Sequence, residues 1–287
     1  MPNSTWKGSP LEHEAECLWC PFIPSLNLYR EDEIRPGEAG GELRMLNMCL
    51  SIKEGKTIFH NIGGLFGFAE DILIGGVENT NALRRFGEIL NSFYWQALGD
   101  LKSSFLLAFC GRYRQAFIVM RSALELLTYG LYFQLKMWAE EPLDDWKDWW
   151  NGKLRWSRVV KYLEDKNLLS KGEAKRLMKL YYETLSKTVH TTSRGSVMRT
   201  IEGKSELIRP ASSHIDLDEL KEWFNCLLEC FRQFHSFLSA SNLTVERSRR
   251  AYSNLKKLLE ILQNQHRKNQ YKPVSFVECN ILEQNRK

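Results

Sequence analysis

Two charged side chains stand one helical turn apart in an otherwise apolar segment of the chain. Segment 112–130 carries Arg121 and Glu125 among aliphatic and aromatic residues. A pair at this spacing is an ion pair on a helix surface, and between bundle helices it can also line a polar site. We therefore predict Arg121 and Glu125 as substrate-binding residues, with a purely structural ion pair as the alternative.

A second segment, 181–195, places His190 at a predicted helix end, with Lys187 before it and Arg194 just beyond it. An imidazole titrates near neutral pH, so it can transfer protons. At a helix C-terminus it can also serve only to complement the helix dipole. We predict His190 as a catalytic residue, with Lys187 and Arg194 as substrate-binding residues.

Together the two segments resemble the HEPN-like superfamily, especially its prokaryotic members linked to abortive-infection and toxin systems. The resemblance covers 100–190 and rests on the Arg-x-x-x-Glu helix followed by Tyr182-x-x-Leu185-Ser186-x-x-Val189-His190. It implies a compact helical bundle, often dimeric. In active members it implies a metal-independent ribonuclease, in which the arginine of an Arg-x(4–6)-His motif holds phosphate. The histidine of that motif transfers a proton as the RNA 2′-hydroxyl attacks.

The arginine of that motif is missing ahead of His190, because positions 183 to 185 are Glu, Thr and Leu. A literal Arg-x(4)-His does occur at Arg209 and His214, in a segment that contains Pro210. Roughly one such match is expected by chance in a chain of this length and histidine content. A loop ahead of a helix N-terminus suits an anion. His214 is therefore the second catalytic candidate, with Arg209 as a substrate-binding residue.

The cysteines are 7 in number and scattered, which does not indicate a disulfide framework. Cys17 and Cys20 form a C-x-x-C pair, which is half of a four-ligand zinc site. Cys226 and Cys230, four residues apart, can supply the other half or act as small apolar residues on a packed helix. We predict no cofactor, with a structural zinc at Cys17 and Cys20 as the open alternative.

Tryptophans concentrate in one short region, interleaved with lysines and arginines. The five are Trp138, Trp146, Trp149, Trp150 and Trp156. Aromatic rings beside cations can stack unpaired bases and hold phosphates. We favour the alternative that they pack as a cap on the bundle or form a partner interface, since tryptophan is usually mostly buried.

The elements that must position these residues are helices. Long proline-free spans and scarce period-2 alternation predict an all-α fold, an antiparallel helical bundle of the HEPN-like kind. Apolar residues at steps of three and four mark the clearest helix, 112–139. Capping patterns start helices at Ser170 and at Asp216, and 191–215 is predicted to be a polar loop. The other predicted helices cover 56–74 with a break or bend near Gly63-Gly64, 79–110, 155–166 and 244–266.

The net charge of +5 is unevenly distributed. Residues 1–52 form an acidic, irregular N-terminal arm, 53–243 the bundle, and 244–287 a basic C-terminal helix and tail. The last helix carries a narrow apolar stripe that predicts pairing with one other helix, in the same chain or in a dimer mate. We expect a homodimer or a protein partner through this helix, and its basic remainder can meet RNA phosphates.

Residues 1–10 are polar, without the apolar run of a secretory signal. No charge-free run is longer than 13 residues, whereas a membrane-spanning helix needs about 20. The expectation is a cytoplasmic protein that does not contact a membrane.

Two functions follow as hypotheses. The first is an RNA- or nucleotide-binding protein of a prokaryotic defence or toxin-type system, with metal-independent endoribonuclease activity if it is an enzyme. The second is a non-catalytic helical module for protein–protein interaction, and the missing arginine ahead of His190 favours it.

Overall fold

The fold is taken from a computed structural model, which describes residues 46, 48–77, 80–186, 198–201, 204–207, 216–240 and 249–274. The helices are α1 (Lys53–Val77), α2 (Thr80–Phe109), α3 (Tyr113–Trp138), α4 (Asp145–Trp150), α5 (Trp156–Asp165), α6 (Lys171–Lys179), α7 (Leu217–Ala240) and α8 (Arg249–Arg267). A π-helical segment, Leu180–Leu185, continues α6, and residues 48–51 add a helical turn before α1. Strands β1 (Met198–Ile201) and β2 (Lys204–Leu207) pair antiparallel.

The predicted all-α class is confirmed, and α3 lies at the centre of the helical packing. α3 contacts α2, α5, α7 and the π-helical segment, while α8 packs on α1 and α7. α2 and α3 run antiparallel and approach closely at Gly130, where an added Cβ would lie 2.8 Å from the Cβ of Phe93. The core around them is rich in aromatic rings, such as Phe105 and Phe109 at a centroid distance of 4.8 Å.

A buried hydrogen-bond relay joins three of these helices. Trp223 on α7 donates its indole N–H to Ser104 Oγ at 2.9 Å, and Ser104 on α2 donates to the carbonyl of Ala116 on α3 at 2.8 Å. All three residues are fully buried. Since each polar group finds a partner, the relay fixes the register of the helices without leaving an unsatisfied group in the core.

Within the described part of the chain, α3 is the one helix long and apolar enough to cross a membrane. Of its most apolar stretch, 67% is buried inside the protein. The apolar stripe that predicted this helix therefore covers the core of the bundle.

Both predicted helix starts are confirmed. At α6, the Ser170 hydroxyl accepts from the Glu173 N–H at 3.3 Å, while the Glu173 carboxylate accepts from the Ser170 N–H at 2.9 Å. At α7, the Asp216 carboxylate accepts from the N–H groups of Asp218 and Glu219 at 3.0 and 3.1 Å. These bonds satisfy donors that a helix N-terminus otherwise leaves open.

One local prediction was wrong: the predicted polar loop 191–215 contains strands β1 and β2, which pair antiparallel although neither shows clear alternation of apolar and polar residues. At Gly63-Gly64, α1 continues through both buried glycines, so the helix is not broken there. The helix predicted from Ser170 to His190 is found as α6 and the π-helical segment, and its last residues lie outside the described part of the chain.

The apolar stripe of the C-terminal helix is used inside the chain. Leu255, Leu259 and Leu262 on α8 are buried, and the helix packs on α1 and α7. Asn61 on α1 also holds the segment after α8, because its amide accepts from the Val274 N–H at 3.0 Å and donates to the Lys272 carbonyl at 3.1 Å. Of the two alternatives for the stripe, the structure supports pairing within the chain, so a partner at α8 would meet its polar face.

A nearly buried carboxylate fixes α4, the helix that follows the turn after α3. Asp145 accepts from Tyr132 Oη and, at 2.7 Å, from Lys136 Nζ, both on α3. Its other oxygen lies 3.3 Å from Arg158 Nη2 on α5. Burial alone would raise the pKa of Asp145, but the hydrogen bonds from Lys136 and Tyr132 outweigh it and the pKa lies below its usual value. Asp145 thereby ties α3, α4 and α5 together around the connection 151–155.

Candidate functional site

A cleft of about 410 Å³ opens where α3, the connection from α4 to α5 and the π-helical segment meet. We call it the α3 cleft. Polar, charged and aromatic side chains line it together, which is the composition of a small-molecule site with a few placed polar groups. The lining residues are Arg121, Glu125, Tyr129, Trp149, Gly152, Leu154, Arg155, Trp156, Ser157, Tyr181, Tyr182 and Ser186.

Arg121, Glu125 and Tyr181 form one hydrogen-bonded group at this cleft. Arg121 Nε donates to Glu125 Oε1 at 3.1 Å, and Arg121 Nη2 donates to Tyr181 Oη at 2.6 Å. The Tyr181 hydroxyl in turn donates to Glu125 Oε1. The guanidinium carbon also lies 4.6 Å from the centroid of the Tyr181 ring, within cation–π range. The predicted pair on α3 is thus fixed by a third residue from another element.

The protonation states of this group follow from its surroundings. Burial and the hydrogen bond to Glu125 raise the pKa of Tyr181, so its phenol stays neutral and can donate. Burial alone would lower the pKa of Arg121, but the hydrogen bond to Tyr181 and the charge of Glu125 outweigh it and raise the pKa. Arg121 therefore stays positively charged.

The π-helical segment brings Tyr181 into place. The Tyr181 carbonyl accepts the Ser186 backbone N–H, five residues on, and the Ser186 hydroxyl at 2.7 Å. An i to i+5 bond of this kind widens the turn, and π-turns often occur at functional sites. The extra bond from the Ser186 side chain stabilises the wide turn locally.

An aromatic wall stands beside the polar group. The rings of Trp156 and Tyr181 stack with centroids 4.0 Å apart and an interplanar angle of 15°. The Tyr182 ring contacts both of them edge-on and is 44% exposed. Trp156 is only 4% exposed, and its buried indole N–H has no hydrogen-bond partner among the described residues. The wall therefore offers one accessible ring, that of Tyr182, supported by a buried stack.

The predicted tryptophan cluster divides into three groups. Trp149 and Trp156 line the cleft, Trp146 packs on Phe133 with centroids 4.9 Å apart, and Trp138 and Trp150 are exposed. The favoured interpretation, a cap that packs on the bundle, fits Trp146.

One of the cations interleaved with the tryptophans also lines the α3 cleft. This is the exposed Arg155, which directly precedes α5.

Of the predicted site residues, the structure places Arg121 and Glu125 together in the α3 cleft. Ser186 lines the same cleft and is followed directly by Lys187. The remaining predicted residues lie outside the described part of the chain, and their roles stay predictions. They are His190, His214, Lys187, Arg194, Arg209, Cys17 and Cys20.

Sequence reasoning did not name Tyr129, Ser157 or Tyr181 as site residues. Tyr181 carries the clearest missed signal, because it directly precedes Tyr182 in the segment on which the family resemblance rests. Its position beside Arg121 depends on a π-turn that no sequence pattern indicated.

The described residues contain no group of three or more His, Cys, Asp or Glu side chains that could hold a metal ion. Cys226 and Cys230 are free and buried in the core, and burial raises the pKa of both thiols, to about 12 at Cys226. Zinc binds thiolates. The interpretation of this pair as small apolar core residues is therefore the supported one, and zinc at Cys17 and Cys20 stays a prediction.

Compared with known proteins, the chain matches no family model, no curated protein and no solved structure. Function is therefore inferred from the geometry of the α3 cleft and from the sequence.

The Tyr181 hydroxyl should contribute measurably to stability. In Tyr181→Phe, Arg121 loses an acceptor and Glu125 loses a donor, while the ring stack on Trp156 is kept. Because both partners are partly exposed and water can replace the bonds, we expect a loss of about 1 kcal/mol in the free energy of unfolding. Urea unfolding measures it.

Tyr182→Phe is the matched control, since the neighbouring hydroxyl makes no hydrogen bond to a described residue. It should change the free energy of unfolding by less than about 0.5 kcal/mol. Equal losses in the two variants would show that the Tyr181 hydroxyl does not join Arg121 to Glu125.

Proposed function

We propose that this protein binds a nucleotide unit, free or within single-stranded RNA, in the α3 cleft. The observation that carries the proposal is the exposed Tyr182 ring, backed by the Trp156–Tyr181 stack, in a cleft that also holds Arg121 and Arg155. Aromatic rings that stack bases, combined with cations that track phosphates, are the usual means of binding unpaired nucleic acid.

The size of the cleft supports a ligand of this kind. Small-molecule sites commonly enclose about 300–1,000 Å³, and the α3 cleft measures about 410 Å³. A single nucleotide unit, and not a folded macromolecular surface, is the ligand that such a volume suits.

The cations of the cleft would have different tasks. Arg121 is engaged by Glu125 and Tyr181, so its charge is largely compensated. Arg155 is exposed and makes no ion pair within the described residues. The first residues of α5, Trp156 and Ser157, line the cleft beside it, and a helix N-terminus favours anions. We therefore assign the phosphate to the Arg155 side of the cleft.

RNA cleavage is the activity that the HEPN-like resemblance adds to this proposal. His190 follows the cleft-lining Ser186 by four residues and would transfer the proton in a metal-independent reaction. On the same resemblance the protein would act in a prokaryotic defence or toxin-type system. From the sequence we expect it in the cytoplasm, as a homodimer or with a protein partner.

A non-catalytic interaction module is the second candidate function. Trp150 favours it, because its side chain is 76% exposed, and Trp138 is 40% exposed. Tryptophan is enriched at the centres of protein interfaces. On this alternative the bundle would be a scaffold and these tryptophans would contact a partner.

Binding in the α3 cleft predicts that Tyr182→Ala weakens the affinity for a short single-stranded RNA of mixed sequence roughly tenfold, because a stacked ring is lost. Trp138→Ala is the matched control, since Trp138 is similarly exposed but does not line the cleft. Fluorescence anisotropy at low and high salt measures both affinities. An absence of salt-dependent binding to RNA and to mononucleotides would leave only the interaction module.

Cleavage is tested with purified protein and RNA in the presence of EDTA. Cleavage by the wild type that is lost in His190→Ala would assign the reaction to His190, and loss in His214→Ala would assign it to the second motif. Activity that survives both substitutions would exclude both histidines as catalytic residues.

A further inference from the structure

Glu125 offers one hydrogen-bond acceptor in the α3 cleft that the protein itself does not use. Oε1 accepts from both Arg121 Nε and the Tyr181 hydroxyl, whereas Oε2 accepts no hydrogen bond from any described residue. The side chain is 32% exposed and lines the cleft. One oxygen therefore fixes the carboxylate, and the other is open to a ligand.

The groups around Glu125 decide what that ligand can present. A carboxylate oxygen accepts hydrogen bonds and cannot donate them while ionised. The neighbouring Tyr181 hydroxyl donates its hydrogen bond to Oε1, and Arg121 donates to the same oxygen. A phosphate or carbonyl oxygen placed at Oε2 would face a negative acceptor without a proton between them. A ligand N–H group placed there would gain a charge-assisted hydrogen bond.

We propose that Glu125 selects nucleobases that carry an exocyclic amino group, through a hydrogen bond from that group to Oε2. The inference rests on the proposed function, because it assumes that a base enters the α3 cleft. Carboxylate side chains accept from the amino group of cytosine in base readout. Uracil and hypoxanthine present a carbonyl where cytosine and adenine present the amino group, so they would be disfavoured. Glu125 is then a specificity-determining residue, and the hydrogen bonds from Arg121 and Tyr181 hold its side chain in one orientation.

The test compares two ligand pairs that differ at this group. CMP against UMP and AMP against IMP each exchange the amino group for a carbonyl, with the matching change of one ring nitrogen. Isothermal titration calorimetry with the full chain gives the four dissociation constants. We expect CMP and AMP to bind about tenfold or more tightly than their partners, which is the size expected for a hydrogen bond to a charged acceptor.

Glu125→Gln assigns the preference to this residue. The glutamine amide can donate as well as accept, so both ratios should fall close to one in the variant. Glu260→Gln, which removes an exposed carboxylate on α8, is the control and should leave both ratios unchanged. If Glu125→Gln does not fold, equal affinity of the wild type for all four nucleotides would still overturn the role of Glu125.

Each result has a distinct meaning. Binding of all four nucleotides with equal affinity would overturn the role of Glu125 and leave the proposed function standing. A preference that persists in Glu125→Gln would place base selection elsewhere and also overturn it. Failure of all four nucleotides and of single-stranded RNA to bind would overturn the proposed function itself, and this inference with it.

Discussion

The structure depends on the burial of α3, whose second half is covered on nearly every side. Its apolar stripe meets α2 and α7, and its second half is covered by the aromatic rings of α4 and by α5. A helix that is apolar over so much of its surface is stable in water only inside such a shell. The helices around α3 therefore pack so that they cover its apolar surface.

The polar side chains of α3 impose the second requirement. Arg121 and Glu125 lie where α3 borders the cleft and is not fully covered by the described helices. Tyr132 and Lys136, nearer the C-terminal end of α3, donate hydrogen bonds to Asp145. A charge removed from water needs a partner with good geometry. The π-helical segment places Tyr181 against Arg121 and Glu125, and α4 places Asp145 against Tyr132 and Lys136. The α3 cleft lies between these two attachments, so its walls are held from both ends.

Much of this fold could be predicted from local patterns, and most of the site could not. The periodicity of α3 and the capping residues Ser170 and Asp216 are local signals, and the structure confirms them. Trp149 and Trp150 are adjacent in sequence, yet one lines the cleft and the other is 76% exposed. That difference depends on how a six-residue helix is attached to α3, which is tertiary information.

The partners of Arg121 show the same limit. Its pairing with Glu125 follows from a spacing of four residues, and this part of the site could be predicted. Its bond to Tyr181 spans sixty residues and needs the wide turn held by the Ser186 hydroxyl. Hydrophobic period and helix propensity do not encode a π-turn, because it arises where packing and side-chain hydrogen bonds outweigh the regular α-helical bond.

The central claim is that a nucleotide enters the α3 cleft, and the indole N–H resonances of the tryptophans test it most directly. On adding CMP to the protein labelled with 15N at the indole nitrogens, the resonances of Trp149 and Trp156 should shift. That of Trp223, bonded to Ser104 in the core, should stay in place. Resonances of Trp149 and Trp156 that do not move at saturating CMP would contradict the account.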